Sequence, residues 1–135
     1  MNEMDIIKEN AKLIGELYAY LKEKLGFTED AKIVFKQSPK NAVDPLGKTA
    51  YYMPEEKKVV VYITGRHPKD IMRSLAHEIC HHNQNCKGLL INTNTQEGYA
   101  QQDEHLREME ADAYLNGNML FRDWTDGLKR RSDNE

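Results

Sequence analysis

Apolar residues near the start of the chain recur at the three- and four-residue spacing of an α-helix. Over residues 5–25 these positions share one face, and Gly26 follows as the stop. We therefore predict one N-terminal helix that serves as scaffold. Its apolar positions are Ile6, Ile7, Leu13, Ile14, Leu17, Tyr18, Leu21 and Leu25.

Three short segments after this helix are rich in β-branched and aromatic residues. Segments 31–37, 48–53 and 58–64 have the composition of strands. The last two are separated only by residues 54–57, which is the length of a hairpin loop. The pattern predicts a small, twisted, three-stranded sheet.

Two more helices are predicted in the second half of the chain. The first opens at Pro68, whose fixed φ suits a first helical turn, and continues to about residue 83. A polar connection over 84–102 follows, and it is long enough to cover a cleft beside the two helices. The last helix spans about 103–122, where Gly117 either weakens the helix or permits close helix packing.

Length, composition and charge limit the fold and the function. A chain of 135 residues supports one core, so we predict an α+β fold with a single domain over 1–124 and a charged, flexible tail over 125–135. A net charge of −3 gives no basic footprint for nucleic acid. The longest apolar run, over 59–63, is far too short to span a membrane.

The N-terminus and the cysteines indicate a compartment. Residues 1–5 are polar and acidic, unlike the basic start and apolar stretch of a secretory signal. Cys80 and Cys86 do not make a disulfide framework, which suits a reducing environment, and we expect Cys80 to be buried. We therefore predict a cytoplasmic protein.

The motif H-E-x-x-H, formed by His77, Glu78 and His81, carries the candidate chemistry. Residues four apart share a helix face, so the two histidines can place two imidazoles on one metal ion. Glu78 lies one step round the helix, where it can reach a metal-bound water. This is the zinc-and-base arrangement of a metallopeptidase.

A catalytic zinc of this kind needs a third protein ligand, and the last predicted helix offers one. Glu108 can ligate the metal, and Asp112, four residues on, can accept the outer N–H of a ligating histidine. Glu110 is the other candidate for the third ligand, because Glu108 and Glu110 each precede Asp112 in the same short acidic segment around Ala111. The four-residue spacing to Asp112 favours Glu108, and a solvated acidic helix face is the alternative interpretation.

With the E-x-x-A-D sequence of residues 108–112 added to H-E-x-x-H, the chain resembles the gluzincin metallopeptidases. The layout of helix, sheet, motif helix and glutamate helix is similar to the minimal gluzincins and loosely to the ImmA/IrrE-type proteases. The resemblance implies a minimal zincin-like fold with zinc on His77, His81 and Glu108. It also implies Glu78 as general base and Asp112 behind a ligand.

The resemblance also implies a residue that stabilises the oxyanion and a strand that binds the peptide. Many gluzincins have a downstream His or Tyr that stabilises the oxyanion, and Tyr99, His105 and Tyr114 are the candidates here. By analogy, the strand with Tyr51 and Tyr52 is the rim against which an extended peptide docks by strand addition.

We therefore predict a zinc-dependent metallopeptidase that hydrolyses peptide bonds with a zinc-activated water and with Glu78 as general base. Its expected partner is a protein or peptide substrate, with no nucleic acid and no membrane. The alternative is a non-catalytic zinc-binding module with a regulatory or interaction role. His82, which points about 100° away from His81, is expected to be a packed or exposed residue rather than a ligand.

Overall fold

The structure, a computed structural model, describes residues 3–44, 49–90 and 99–133, and these form a mixed α+β fold. In chain order the elements are α1 (Glu3–Glu9), α2 (Ala11–Leu25), β1 (Lys32–Lys36), α3 (Pro39–Val43), β2 (Ala50–Met53), β3 (Lys58–Tyr62), α4 (Pro68–Cys86) and α5 (Tyr99–Asp133). The general class predicted from the sequence is confirmed.

The helix predicted over 5–25 is divided into α1 and α2 at Asn10. The side-chain amide of Asn10 donates to the carbonyl of Ile6 at 2.8 Å, and this local bond competes with a continuous helix. α2 ends where Gly26 adopts a left-handed conformation with φ 87°, as the predicted stop requires. The buried face of α2 carries Ile14, Leu17 and Leu21.

The three predicted strands form one sheet with β3 in the centre. β1 pairs with β3 in parallel, and β2 pairs with β3 antiparallel through the hairpin predicted at 54–57. Among the strands that the structure describes, β2 is therefore at an edge of the sheet. One face of the sheet packs against α2, α4 and α5 to form the core. The buried side chains of this core include Val59, Val61, Ile63, Leu17, Leu21, Leu75, Ile79, Phe121 and Trp124.

Arg66 joins the ends of two strands to the start of α4. One guanidinium nitrogen donates to the carbonyls of Thr49 and Tyr62, at 3.0 and 2.9 Å. The other donates to the carbonyl of Asp70 and, at 2.6 Å, to the hydroxyl of Ser74. These bonds hold the first two turns of α4 beside the β2 edge.

α5 runs antiparallel to α4 and approaches it closely. Gln84 contacts Met109 at one end of the pair, and Arg73 lies over the Phe121 ring at the other. A Cβ atom on Gly117 would lie 3.0 Å from the Cα of His77, a tighter contact than most Cβ atoms make, so glycine suits this close approach. Of the two sequence interpretations of Gly117, the structure supports close packing.

Several boundaries differ from the sequence prediction. Residues 39–43 form the short helix α3, because the Ser38 hydroxyl accepts from the backbone N–H of Asn41 at 3.2 Å and Pro39 suits a first turn. α4 continues to Cys86 and α5 begins at Tyr99, so the two ends of the predicted connection 84–102 are helical. Its residues 91–98 lie outside the described part of the chain.

The last helix also extends beyond its predicted end at about residue 122. α5 continues to Asp133, Trp124 is 7% exposed, and Leu128 packs against the core. Residues 125–133 are therefore the last turns of α5. Among the helices that the structure describes, none combines the length and the apolar character needed to cross a membrane.

Candidate metal centre

α4 brings the three residues of the H-E-x-x-H motif together, as the helical spacing predicts. One ligand atom from each of His77, Glu78 and His81 lies within 4.8 Å of the others. The two imidazole rings are 4.9 Å apart at an interplanar angle of 82°. Glu78 and His81 are buried and His77 is half-buried, so the group lies at the floor of a cleft.

The carboxylate of Glu110 on α5 contacts both imidazoles. One of its oxygens is 2.9 Å from His81 Nε2 and the other is 3.4 Å from His77 Nε2. The carboxylate remains 66% exposed because it lies on the open side of the cleft. Two ring nitrogens and one carboxylate from two helices therefore converge on one point.

Glu108, the third ligand predicted from the sequence, is exposed and lies on another side of α5. Two residues along an α-helix correspond to a rotation of about 200°, so Glu108 and Glu110 cannot face α4 together. Ala113, Gly117 and Phe121 are buried at three, seven and eleven residues after Glu110. This packing stripe decides which glutamate faces the histidines, and it brings Glu110 there in place of Glu108.

Burial governs the protonation of the site. It raises the pKa of Glu78 to about 7, and the charge of Glu110 adds to this rise while His81 opposes it. Burial and the neighbouring His81 lower the pKa of His77. A neutral imidazole is the form that binds metal, and a carboxyl that titrates near neutral pH can both accept and return a proton.

Asp112, predicted to stand behind a metal ligand, reaches His81 through Gln84. Oε1 of Gln84 is 2.9 Å from Nδ1 of His81. Nε2 of Gln84 donates to Asp112 Oδ2 at 2.8 Å and to the carbonyl of Met109 at 2.9 Å. Gln84 was missed from the sequence, although its place three residues after His81 on the same helix was an available signal.

His82 is fully buried and lies outside the cluster. Its Nε2 is 2.6 Å from the carbonyl of Glu29, and its Nδ1 is 2.8 Å from the hydroxyl of Tyr52. His82 is therefore a hydrogen-bonded core residue. Cys80 is also buried, as expected, and burial raises the pKa of its thiol to about 12.

A cleft of about 1230 Å³ opens over the site. The β2 edge forms one wall, α4 the floor and α5 the opposite wall. Of the three candidate oxyanion donors, Tyr114 lines the cleft. His105 instead donates to the carbonyl of Leu89 at 2.6 Å. The side chain of Tyr99 lies outside the part of the chain that the structure describes. The α5 wall consists of Leu106, Met109, Glu110, Tyr114 and Asn118.

Comparisons of the chain with family models, with curated proteins and with solved structures give no match. The geometry of the site is therefore the basis on which a function can be proposed.

Proposed function

We propose that the protein is a zinc metallopeptidase with a minimal zincin-like fold, in which His77, His81 and Glu110 hold the metal. The observation that carries this proposal is the convergence of two imidazole Nε2 atoms and the Glu110 carboxylate beside the buried Glu78. Two nitrogens and one oxygen are a donor set that catalytic zinc sites use, with a further position left for a reactant.

Two carboxylates flank the imidazoles, and we give them different roles. Glu110 is the ligand because its oxygens contact both Nε2 atoms. Glu78 is the general base because it follows His77 on the same helix and because burial raises its pKa to about 7. A carboxyl with this pKa is suited to proton transfer near neutral pH, whereas a metal ligand must stay ionised.

Peptide hydrolysis then follows from these roles. Zinc, when bound, supplies a Lewis acid that polarises the scissile carbonyl and acidifies water. Glu78 accepts a proton from the attacking water and returns it to the leaving amine, so the carboxylate is regenerated when the C–N bond breaks. Tyr114, one turn after Glu110 on the cleft wall, is the candidate donor to the oxygen of the scissile carbonyl.

The cleft supports an extended protein or peptide as substrate. In the described part of the chain, β2 is an edge strand along the cleft, and this edge is where an added strand would pair. Met53, Leu106 and Met109 add apolar surface near the site. The substrate would lie between β2 and α5, above the imidazoles.

Metal content and activity together test the proposal. Elemental mass spectrometry should give about one zinc per wild-type chain, lost in Glu110→Ala and kept in Glu108→Ala as the matched control. Cleavage of a mixed peptide library should fall by about 10²-fold or more in Glu78→Gln with the zinc retained. Absence of zinc after reconstitution would overturn the proposal, and a zinc-loaded wild type without cleavage would favour the non-catalytic module.

A further inference from the structure

The carboxamide of Gln84 has an orientation that its neighbours determine. The carbonyl oxygen of Met109 and the carboxylate of Asp112 can only accept hydrogen bonds, so the NH₂ group of Gln84 must face them, at 2.9 and 2.8 Å. The amide oxygen then faces Nδ1 of His81 at 2.9 Å. An amide oxygen can only accept, so Nδ1 must carry the proton.

We infer that Gln84 is a positioning residue that selects the Nδ1–H tautomer of His81. This leaves Nε2 as the ring nitrogen available to a metal, on the side of the ring that faces Glu110 and His77. The proton on Nδ1 follows from the bonds of Gln84, while Nε2 faces a second acceptor, Oε1 of Glu110 at 2.9 Å, which competes for a proton when no metal is bound. A histidine ligand binds metal more tightly when its other ring nitrogen is held by an acceptor, so we expect Gln84 to raise the zinc affinity. This consequence rests on the proposed function.

Gln84 also connects the two helices that supply the metal donors. Its side chain lies on α4 with the histidines, and its NH₂ group bonds to the backbone of α5 one residue before Glu110. Gln84 is 1% exposed, so water cannot replace a lost bond at low cost. Asn116 donates to the other oxygen of Asp112, which keeps that carboxylate directed at Gln84.

Nitrogen-15 NMR of the histidine side chains tests the tautomer on the full chain carrying Glu110→Ala, which removes the competing acceptor at Nε2. The protein is treated with a chelator and held at a pH where the imidazoles are neutral. We expect the Nδ1–H form for His81. His82 is an internal reference with the opposite tautomer, because its Nε2 must donate to the carbonyl of Glu29 at 2.6 Å. An Nε2–H tautomer of His81 in this Glu110→Ala protein would overturn the proposal.

Three variants, each compared in the same Glu110→Ala background, separate positioning from mere packing. Gln84→Met keeps the side-chain volume and removes the acceptor, so His81 should shift toward Nε2–H. Gln84→Glu restores an acceptor and should restore Nδ1–H even though it cannot donate to α5. Asn85→Ala, the matched control, removes the neighbouring amide of α4, which bonds to Tyr52 and Pro54, and should leave the His81 tautomer unchanged. If Gln84→Met does not fold, Gln84→Ala takes its place.

Zinc affinity, measured by competition with a chromophoric chelator, gives the second readout. We expect Gln84→Met to bind zinc about 10- to 100-fold more weakly and Gln84→Glu to recover part of this loss. A wild-type tautomer with wild-type affinity in Gln84→Met would overturn the inference. If no form of the protein binds zinc, the proposed function fails, and the tautomer data still decide the role of Gln84.

Discussion

His81 and His82 are adjacent residues of the same type with different environments. His81 faces the cleft with His77 and Glu110, whereas His82 is fully buried between Glu29 and Tyr52. Successive residues on an α-helix are rotated by about 100°, so one histidine can serve a metal site while its neighbour belongs to the core. Hydrogen bonds at both ring nitrogens satisfy His82 without a metal.

At the residue scale, Tyr52→Phe tests the structural role of His82. The Tyr52 hydroxyl is within 2.8 Å of His82 Nδ1 and accepts from Asn85 at 2.9 Å. Its removal should lower the free energy of unfolding by about 1 to 2 kcal/mol, because two polar groups lose a partner. Urea unfolding measures this loss, and the zinc content should be unchanged. Tyr62→Phe, on the other face of the sheet, is the control. Zinc loss in Tyr52→Phe would show that the role of this tyrosine is not confined to the stability of the core.

Glu78 should make the stability of the metal-free protein depend on pH. Burial raises its pKa from 4.5 to about 7, so over this range the folded chain holds a proton that the unfolded chain has released. The free energy of unfolding therefore falls as the pH rises, by an amount of the order of 2 kcal/mol between about pH 5 and pH 7.5.

Urea unfolding of chelator-treated protein across this pH range checks the effect, with Glu78→Gln as the control. His77, whose pKa is lowered, weakens both proteins toward acid pH, so the informative quantity is the difference between them. This difference should favour the glutamine variant increasingly as the pH rises. Two parallel profiles would mean that Glu78 titrates in the folded protein as it does in the unfolded chain.

At the scale of elements, the packing of α5 on α4 depends on Gly117. Alanine at this position would bring a Cβ within 3.0 Å of the His77 backbone, so one helix must move. We expect Gly117→Ala to lower the free energy of unfolding by about 1 to 3 kcal/mol despite the better helix propensity of alanine. Because α5 carries Glu110, zinc affinity should fall as well.

Gly127→Ala is a matched control on the same helix. A Cβ at Gly127 meets nothing within 4 Å, so alanine should stabilise the protein by up to about 1 kcal/mol through helix propensity. Urea unfolding and zinc competition on both variants separate packing from propensity. Equal zinc affinities in the two variants would show that the α4–α5 distance at His77 does not govern the site.

At the scale of the whole molecule, the site lies between two helices with different surroundings. α4 packs against the sheet and α2, whereas α5 packs mainly along α4. A metal held by His77, His81 and Glu110 would cross-link the two helices. Zinc at about a thousand times its Kd should then stabilise the folded chain by about 4 kcal/mol.

Thermal unfolding with zinc and with a chelator measures this linkage. The rise in Tm on adding zinc should be large in the wild type, smaller in Glu110→Ala and close to wild type in Glu108→Ala. An equal rise in all three proteins would mean that zinc binds without joining α5 to α4. No rise in the wild type would contradict the metal site itself.

The elements that the sequence predicted well are those with a clear local period. The strands, the hairpin and the motif helix follow from alternation, turn length and a proline start, all of which act over a few residues. The division at Asn10 and the helix α3 were missed because each depends on one side-chain bond, from Asn10 to Ile6 and from Asn41 to Ser38. The continuation of α5 to Asp133 depends on Leu128 reaching the core.

The sequence by itself determined the part of the site that one helix carries. His77, Glu78 and His81 are near one another because the period of α4 places them so. The third carboxylate lies on a different helix, and the rotation of α5 about its axis is decided by the tertiary packing of Ala113 and Gly117 against α4. Only that packing distinguishes Glu110 from Glu108, and only it brings Gln84 between His81 and Asp112.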